Sequence, residues 1–203
     1  MKIKILGRYQ IAIMAGAILM GISCSPGKEN SGNLNFVDPD IGSVGLILQP
    51  TRPTVQIPNQ MIRMYPVRKD YLDDQIRYFP LTLISHRLGE LFGIMPFTGV
   101  LNTFSPVSSW DEQMEITTPY YFSTWLEDYD ITVEFVPGKK TGMYRLTFAE
   151  QAEKHVFLKI VNDGFWQTND DNSVSGMESF SGMRAFVYGN FSEPMDTTKL
   201  NER

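Results

Sequence analysis

The sequence predicts an all-β protein, an antiparallel β-sandwich, on three observations. Within residues 119–148, Ile131, Val133 and Phe135 alternate with Thr132 and Glu134, and Tyr144, Leu146 and Phe148 alternate with Arg145 and Thr147. A period of two belongs to a strand with one face buried and the other in water. The breaks at residues 127–130 and 137–142 are short, acidic in the first case and bounded by Pro137 and Gly142 in the second. Each strand then folds back on its neighbour, and the region becomes an antiparallel meander. Finally, Pro50, Pro53, Pro58 and Pro66 punctuate residues 48–66, a density that excludes a helix and confines the segment to edges and loops. A sheet with one apolar face has to bury it, so the rest of the chain is read as strands and loops completing a second layer.

With 203 residues, 42% of them hydrophobic and 12% aromatic, the chain can enclose a full core in one domain, expected over residues 36–191. It opens on a targeting segment, residues 1–23. Lys2, Lys4 and Arg8 precede the apolar run IAIMAGAILMGI, whose 12 residues are too few to cross a bilayer as a helix. Ser23 and Cys24 resemble the cleavage site of bacterial lipoproteins, where the cysteine is lipidated and becomes the new N-terminus. Cys24 is the only cysteine, so it has no disulfide partner in the chain. The alternative is an ordinary secretory signal with an unrelated cysteine. Acyl chains on Cys24 would anchor the protein at a membrane surface, in the periplasm or on the outer membrane, because each buried methylene adds roughly 0.8 kcal/mol. Residues 24–35 have the Gly, Ser, Asn and Pro content of a tether.

The net charge of −5 becomes three units more negative once the three basic residues ahead of Cys24 are removed. Nucleic acid is therefore excluded as a partner class. Residues 36–45, with Asp38-Pro39 and two glycines, read as an extended opening strand broken by turns. In the proline-rich segment, Gln56, Asn59, Gln60 and Arg63 supply neutral amides and a forked donor. Such groups suit sugar hydroxyls, and equally suit the backbone of their own loop.

Residues 79–84 form the next strand, followed by Ser85 and His86. Neighbours in a strand point to opposite faces, so these two do not form a nucleophile and base. His86 is read as a structural or substrate-contacting side chain. With only His86, His155 and a lipidated cysteine, the chain lacks the ligands for a zinc site. Residues 102–115 form a long polar loop in which Trp110 either stacks on a sugar ring or plugs the core. Strands follow at residues 156–161 and 183–191, separated by a turn region at residues 164–176. Residues 192–203 are a polar tail.

These pieces, in this order, resemble the N-terminal domain of glycoside hydrolase family 92, the bacterial exo-acting α-mannosidases. Val37, Pro39, Ile41 and Gly42 are similar to the family's opening Val-x-Pro-x-Ile-Gly. Pro58, Met61 and Pro66 fall as in its Val-Pro-Phe-Gly-Met-Val-Gln-Leu-Ser-Pro segment, and Tyr71, Asp73, Ser85 and His86 look like its Tyr-x-Asp and Ser-His elements. The strongest part is Pro119, Tyr120 and Tyr121 with Leu126, Asp128, Ile131, Val133 and Glu134, then Gly142, Arg145, Thr147 and Phe148. The family's glycine- and histidine-rich loop is replaced by residues 43–49. The resemblance implies a β-sandwich followed, in the family, by a helical barrel that carries the catalytic acid, the catalytic base and most calcium ligands, none of which is expected in this chain.

An inverting glycosidase needs a protonated carboxyl at the leaving oxygen and a carboxylate about 6.5 to 9.5 Å away to activate water. Glu112, Glu115, Glu127 and Asp128 lie in loops and turns and are read as solvated caps, so no catalytic residue and no metal ligand is assigned. The resemblance then implies α-mannoside glycans as the ligand, the helical barrel as partner, and Arg52, Asn59, Gln60 and His86 as substrate contacts. The alternative is a non-catalytic surface lipoprotein that binds glycans.

Overall fold

Alternating apolar residues, short polar turns and scattered prolines leave the chain little to build but strands. A computed structural model describes residues 32–39, 41, 54–68, 74–83, 89–100, 105–169 and 172–196. The targeting segment, Cys24, Arg52, Ser85, His86 and residues 43–49 lie outside the described residues. Two units are distinguished, Met1–Phe36 and Val37–Arg203. Of the first, the described part is a 3-10 turn at Gly32–Phe36.

Among its described residues the second unit carries twelve strands: β1 (Gln75–Ile76), β2 (Phe79–Leu83), β3 (Glu90–Thr98), β4 (Ser108–Ser109), β5 (Ile116–Thr117), β6 (Phe122–Leu126), β7 (Ile131–Pro137), β8 (Gly142–Phe148), β9 (Lys154–Lys159), β10 (Asp163–Thr168), β11 (Ser173–Phe180) and β12 (Met183–Asn190). Every pairing among them is antiparallel. No described helix is long and apolar enough to cross a membrane.

The meander forms as expected. β5, β6, β7 and β8 pair in sequence order, and Ile131, Val133 and Phe135 are buried while Thr132 and Glu134 between them are only partly covered. A second sheet, ordered β2-β3-β9, supplies the other layer. Phe79, Ile94 and Met95 of that sheet share one core with Phe122, Leu126, Ile131, Val133 and Phe135 of the meander. Phe79 meets Phe122 edge to face with ring centres 6.0 Å apart, and Tyr144 tilts onto Phe135 at 4.7 Å. The Tyr144 hydroxyl reaches across the layers to donate to the Pro80 carbonyl at 3.2 Å, and burial pushes its pKa well above the usual phenol value. An isolated bridge joins Val55 and Met64 within the proline-rich segment, and a second joins Val67, just after it, to Tyr78.

Three expectations are corrected. Residues 36–45 were expected to form an extended strand, but the described part has none. Phe36 ends the 3-10 turn, and the Asp38 carbonyl accepts the Ile41 N–H at 3.4 Å, so Asp38-Pro39 makes a turn. The stretch between residues 89 and 102, given no element from sequence, is β3, the central strand of its sheet. Its residues from Leu91 to Phe97 are all buried. A strand covered on both faces shows no alternation, and the period-two signal has nothing to find.

The third correction is residues 164–176, read as a turn region. They form most of the hairpin β10–β11, and the described residue just before β11, Asn172, has φ 61°. Gly164 and Gly176 there are packing glycines. A Cβ on Gly164 would sit 2.0 Å from the Met177 carbonyl oxygen, and one on Gly176 would sit 2.9 Å from that of Phe165. β10, β11 and β12 make a third sheet, whose inner face meets β3 where Trp166 packs on Phe92 at 5.4 Å.

Candidate functional site

Of the four residues nominated to touch sugar, Asn59 and Gln60 fall among the described residues, and the fold places them side by side on one loop. The loop is pinched shut by the Val55 and Met64 backbones, which exchange hydrogen bonds of 2.9 and 3.3 Å. Asn59 sits at its tip with φ 59°, a left-handed conformation that asparagine tolerates better than most residues. It is exposed. Gln60 is half-buried and turns its Nε2 inward to donate to the Ile62 carbonyl, so this amide serves its own loop. Its Oε1 is buried and has no donor among the described residues. The loop is clamped from two sides. Thr82 Oγ1 donates to the Met61 carbonyl at 2.8 Å, and the Met61 N–H donates to Lys139 in the β7–β8 turn at 2.8 Å.

Trp110 is a plug. Its ring packs against the core, and the Arg68 guanidinium lies 4.2 Å over its face, where a sugar would have to stack. His155 lies near the start of β9, stacked on Phe97 at 4.9 Å with Nε2 2.8 Å from the Gly99 carbonyl oxygen.

The carboxylates hold backbone and side chains. Asp111 Oδ1 accepts the Gln113 N–H at 2.9 Å, Glu115 Oε1 accepts from Thr117 at 2.7 Å, and Asp128 Oδ2 accepts the Ser109 N–H at 2.7 Å. Glu112 is exposed. Glu134 on β7 is gripped by Arg145 directly opposite on β8, with Nη2 2.5 Å from Oε1 and Nε on Oε2, and by the Tyr121 hydroxyl at 2.7 Å. The Arg145 hydrogen bonds, and after them that of Tyr121, hold the Glu134 carboxyl at about 2, against an ordinary 4.5. The same contact pushes the Tyr121 phenol up.

A carboxyl depressed in the folded state stabilises the fold above its unfolded pKa, and that contribution disappears as pH falls through the folded one. Wild type should therefore lose stability faster than Arg145→Ala between pH 4.5 and about 2. Arg145 is 73% exposed, so salt should shrink the difference. Urea unfolding of both proteins across that window checks it, and parallel curves would refute it.

Sequence reasoning missed two features. One is Glu178 on β11, fully buried. Its Oε1 accepts the N–H groups of Phe92 and Val161, each at 2.9 Å. Its Oε2 accepts the Asn162 N–H at 3.2 Å and the Asn162 side-chain amide at 2.8 Å. The other is a half-open groove of about 390 Å³ lined by Gln75, Arg77, Tyr78, Lys159 and the flanking residues Val67, Ser105, Val107 and Val161. The Lys159 ammonium lies 5.0 Å above the Tyr78 ring. No local signal marks either one, because the partners come from strands far apart in sequence. The groove and the Asn59–Gln60 loop have no lining residue in common. Among the described residues no three acidic, histidine or cysteine side chains converge as metal ligands.

Comparison with known proteins bears on the whole unit. The glycosyl hydrolase family 92 N-terminal domain matches residues 36–203. No curated protein sequence matches. Among solved structures, a family 92 inverting mannosidase of Bacteroides thetaiotaomicron superposes with a TM-score of 0.71 at 19% identity, over 82% of this chain and 26% of that one. A family 92 α-mannosidase of the same organism superposes at 0.64 with 21% identity, over 76% and 25%. Its complex with mannoimidazole gives 0.63 at 22%, over 76% and 24%. The fold is thus shared with mannosidases of which this chain spans about a quarter of the length. With the match running from the first turn of the sandwich to the last residue, the chain belongs to glycosyl hydrolase family 92, as its N-terminal domain.

Proposed function

We propose that the chain serves as the substrate-side sandwich of an inverting α-mannosidase, and that the acid and base of hydrolysis come from polypeptide outside the sandwich. The observation that carries this reading is the match of residues 36–203 to the family's N-terminal domain. The chemistry supports it. Inversion needs two carboxyls facing each other across a bond and a water, and four of the carboxylates described above are committed elsewhere: Asp111 and Asp128 to backbone N–H groups, Glu134 to Arg145, Glu178 to four N–H donors.

The contacts to mannoside are assigned to Arg52, Asn59, Gln60 and His86. Asn59 is the best placed of them among the described residues, exposed at the loop tip, whereas the Gln60 amide nitrogen is fixed by the Ile62 carbonyl and its Oε1 is buried.

The 203-residue chain alone is expected to release no mannose from aryl α-mannosides or α-linked mannobiose, and to give little heat with either in calorimetry. Turnover by a clean preparation would refute the assignment of the acid and base. Tight binding without turnover would instead favour a glycan-binding surface lipoprotein.

A further inference from the structure

We infer that the outer face of the third sheet is a homodimer interface, on which a second copy of this chain docks about a two-fold axis lying along β11. The register puts side chains of that face in rows. Phe165, Met177 and Phe186 stand directly opposite one another across β10, β11 and β12, and Asp163, Ser179 and Arg184 form a second row beside them. On the inner face of the sheet Trp166 packs on Phe92 of β3, and Glu178 accepts from Phe92 and from Asn162 in the connection between β9 and β10. The outer face is buried at Ser173, but in the two rows Asp163, Phe165, Arg184 and Phe186 stand exposed among the described residues. Phe165 is 50% exposed and Phe186 75% exposed.

Apolar area in a row across three strands marks an interaction surface, and the charges identify its occupant. Asp163 lies on β10 and Arg184 on β12, at the two ends of one row. A two-fold axis along the central strand exchanges the outer strands while preserving each row. It therefore lays Asp163 of one copy over Arg184 of the other, twice, Phe165 over Phe186, twice, and Met177 over itself. The pattern is self-complementary, as an isologous interface requires, and the strands of the two sheets run in the aligned sense that face-to-face packing favours. No such match arises if the axis runs across the strands, because rows then fall on different rows.

The face is small. Three strands about 4.8 Å apart and some six residues of about 3.4 Å each give roughly 15 Å by 20 Å, well below the area of a stable interface, about 1,200 Å² in total. The dimer is therefore weak and reversible. This inference does not depend on the proposed mannosidase role.

Sedimentation velocity of the whole chain between about 1 and 300 µM tests it. The expected result is a reversible monomer–dimer equilibrium that Asp163→Arg and Arg184→Asp each weaken by about tenfold or more, while the doubly reversed protein recovers to within about threefold of wild type. Circular dichroism of each variant confirms that it is folded, and recovery in the double variant is a readout that mere misfolding cannot produce. A monomer at every concentration would overturn the proposal. So would association indifferent to both reversals, which is the signature of pairing through strand edges, and so would protection of Phe186 by an added mannoside in a protein that stays monomeric.

Discussion

Glu178→Ala is expected to lower the free energy of unfolding by about 3 to 5 kcal/mol, the larger part of the margin of a typical domain. The carboxylate is fully buried and accepts four hydrogen bonds, from Phe92, Val161 and both N–H donors of Asn162. Through them β11 is tied to β3 and to the connection between β9 and β10. Each hydrogen bond to a charged group contributes about 1.5 to 3 kcal/mol net, and each buried N–H left without an acceptor costs about 1 to 3. These terms do not add fully, since water enters the space that alanine leaves, which keeps the expected loss below their sum. Phe92 adds to the effect. It is buried at φ 54°, a conformation strained for a bulky residue, and its N–H points at Glu178. Glu178→Gln keeps the shape and one acceptor oxygen while setting an NH₂ against donors, so it should lose roughly half as much. Urea unfolding of wild type and the two variants gives the comparison. An alanine variant within about 1 kcal/mol of wild type would show that the tie is dispensable.

Phe79→Ala should cost a similar amount, about 3 to 5 kcal/mol, for a different reason. Phe79 is fully buried where the two main sheets meet, edge-on to Phe122 at 6.0 Å and tilted to Tyr144 at 6.4 Å. Truncation removes the transfer energy of the ring and opens a cavity whose walls, two strands and two aromatic rings, cannot collapse far. Phe79→Leu refills most of that volume and should recover more than half of the loss. The two sites are separable by hydrogen exchange. Losing the Glu178 contacts should raise exchange first in β10–β12, whereas the Phe79 cavity should raise it in β2, β6 and β7. Identical exchange patterns in the two variants would mean that the third sheet and the sandwich open as one.

The meander was legible because each of its strands has one wet and one dry face, so Thr132 and Glu134 interrupt Ile131, Val133 and Phe135 at the right period. β3 was illegible for the opposite reason, being dry on both faces from Leu91 to Phe97. The β10–β11 hairpin hid behind its own glycines. Gly164 and Gly176 look like turn residues in sequence and are instead places where backbone and indole come too close for a side chain. At the site, composition offered two readings of the amides in the proline-rich loop, and the Gln60 nitrogen follows the one in which an amide serves its own loop. Glu178 was beyond reach. An acid between Met177 and Ser179 resembles any solvated strand residue until pairing turns it toward N–H groups 16, 17 and 86 positions away.

The order of strands in the second sheet governs how the chain comes off the ribosome. β3 pairs on one side with β2, just before it, but on the other with β9, which starts at Lys154. At roughly 5 to 20 residues per second, the long apolar edge of β3 waits about 3 to 11 seconds for its second neighbour to be made. During that interval the nascent polypeptide offers a ready template for the wrong strand, and its maturation is correspondingly dependent on being kept apart from its own kind.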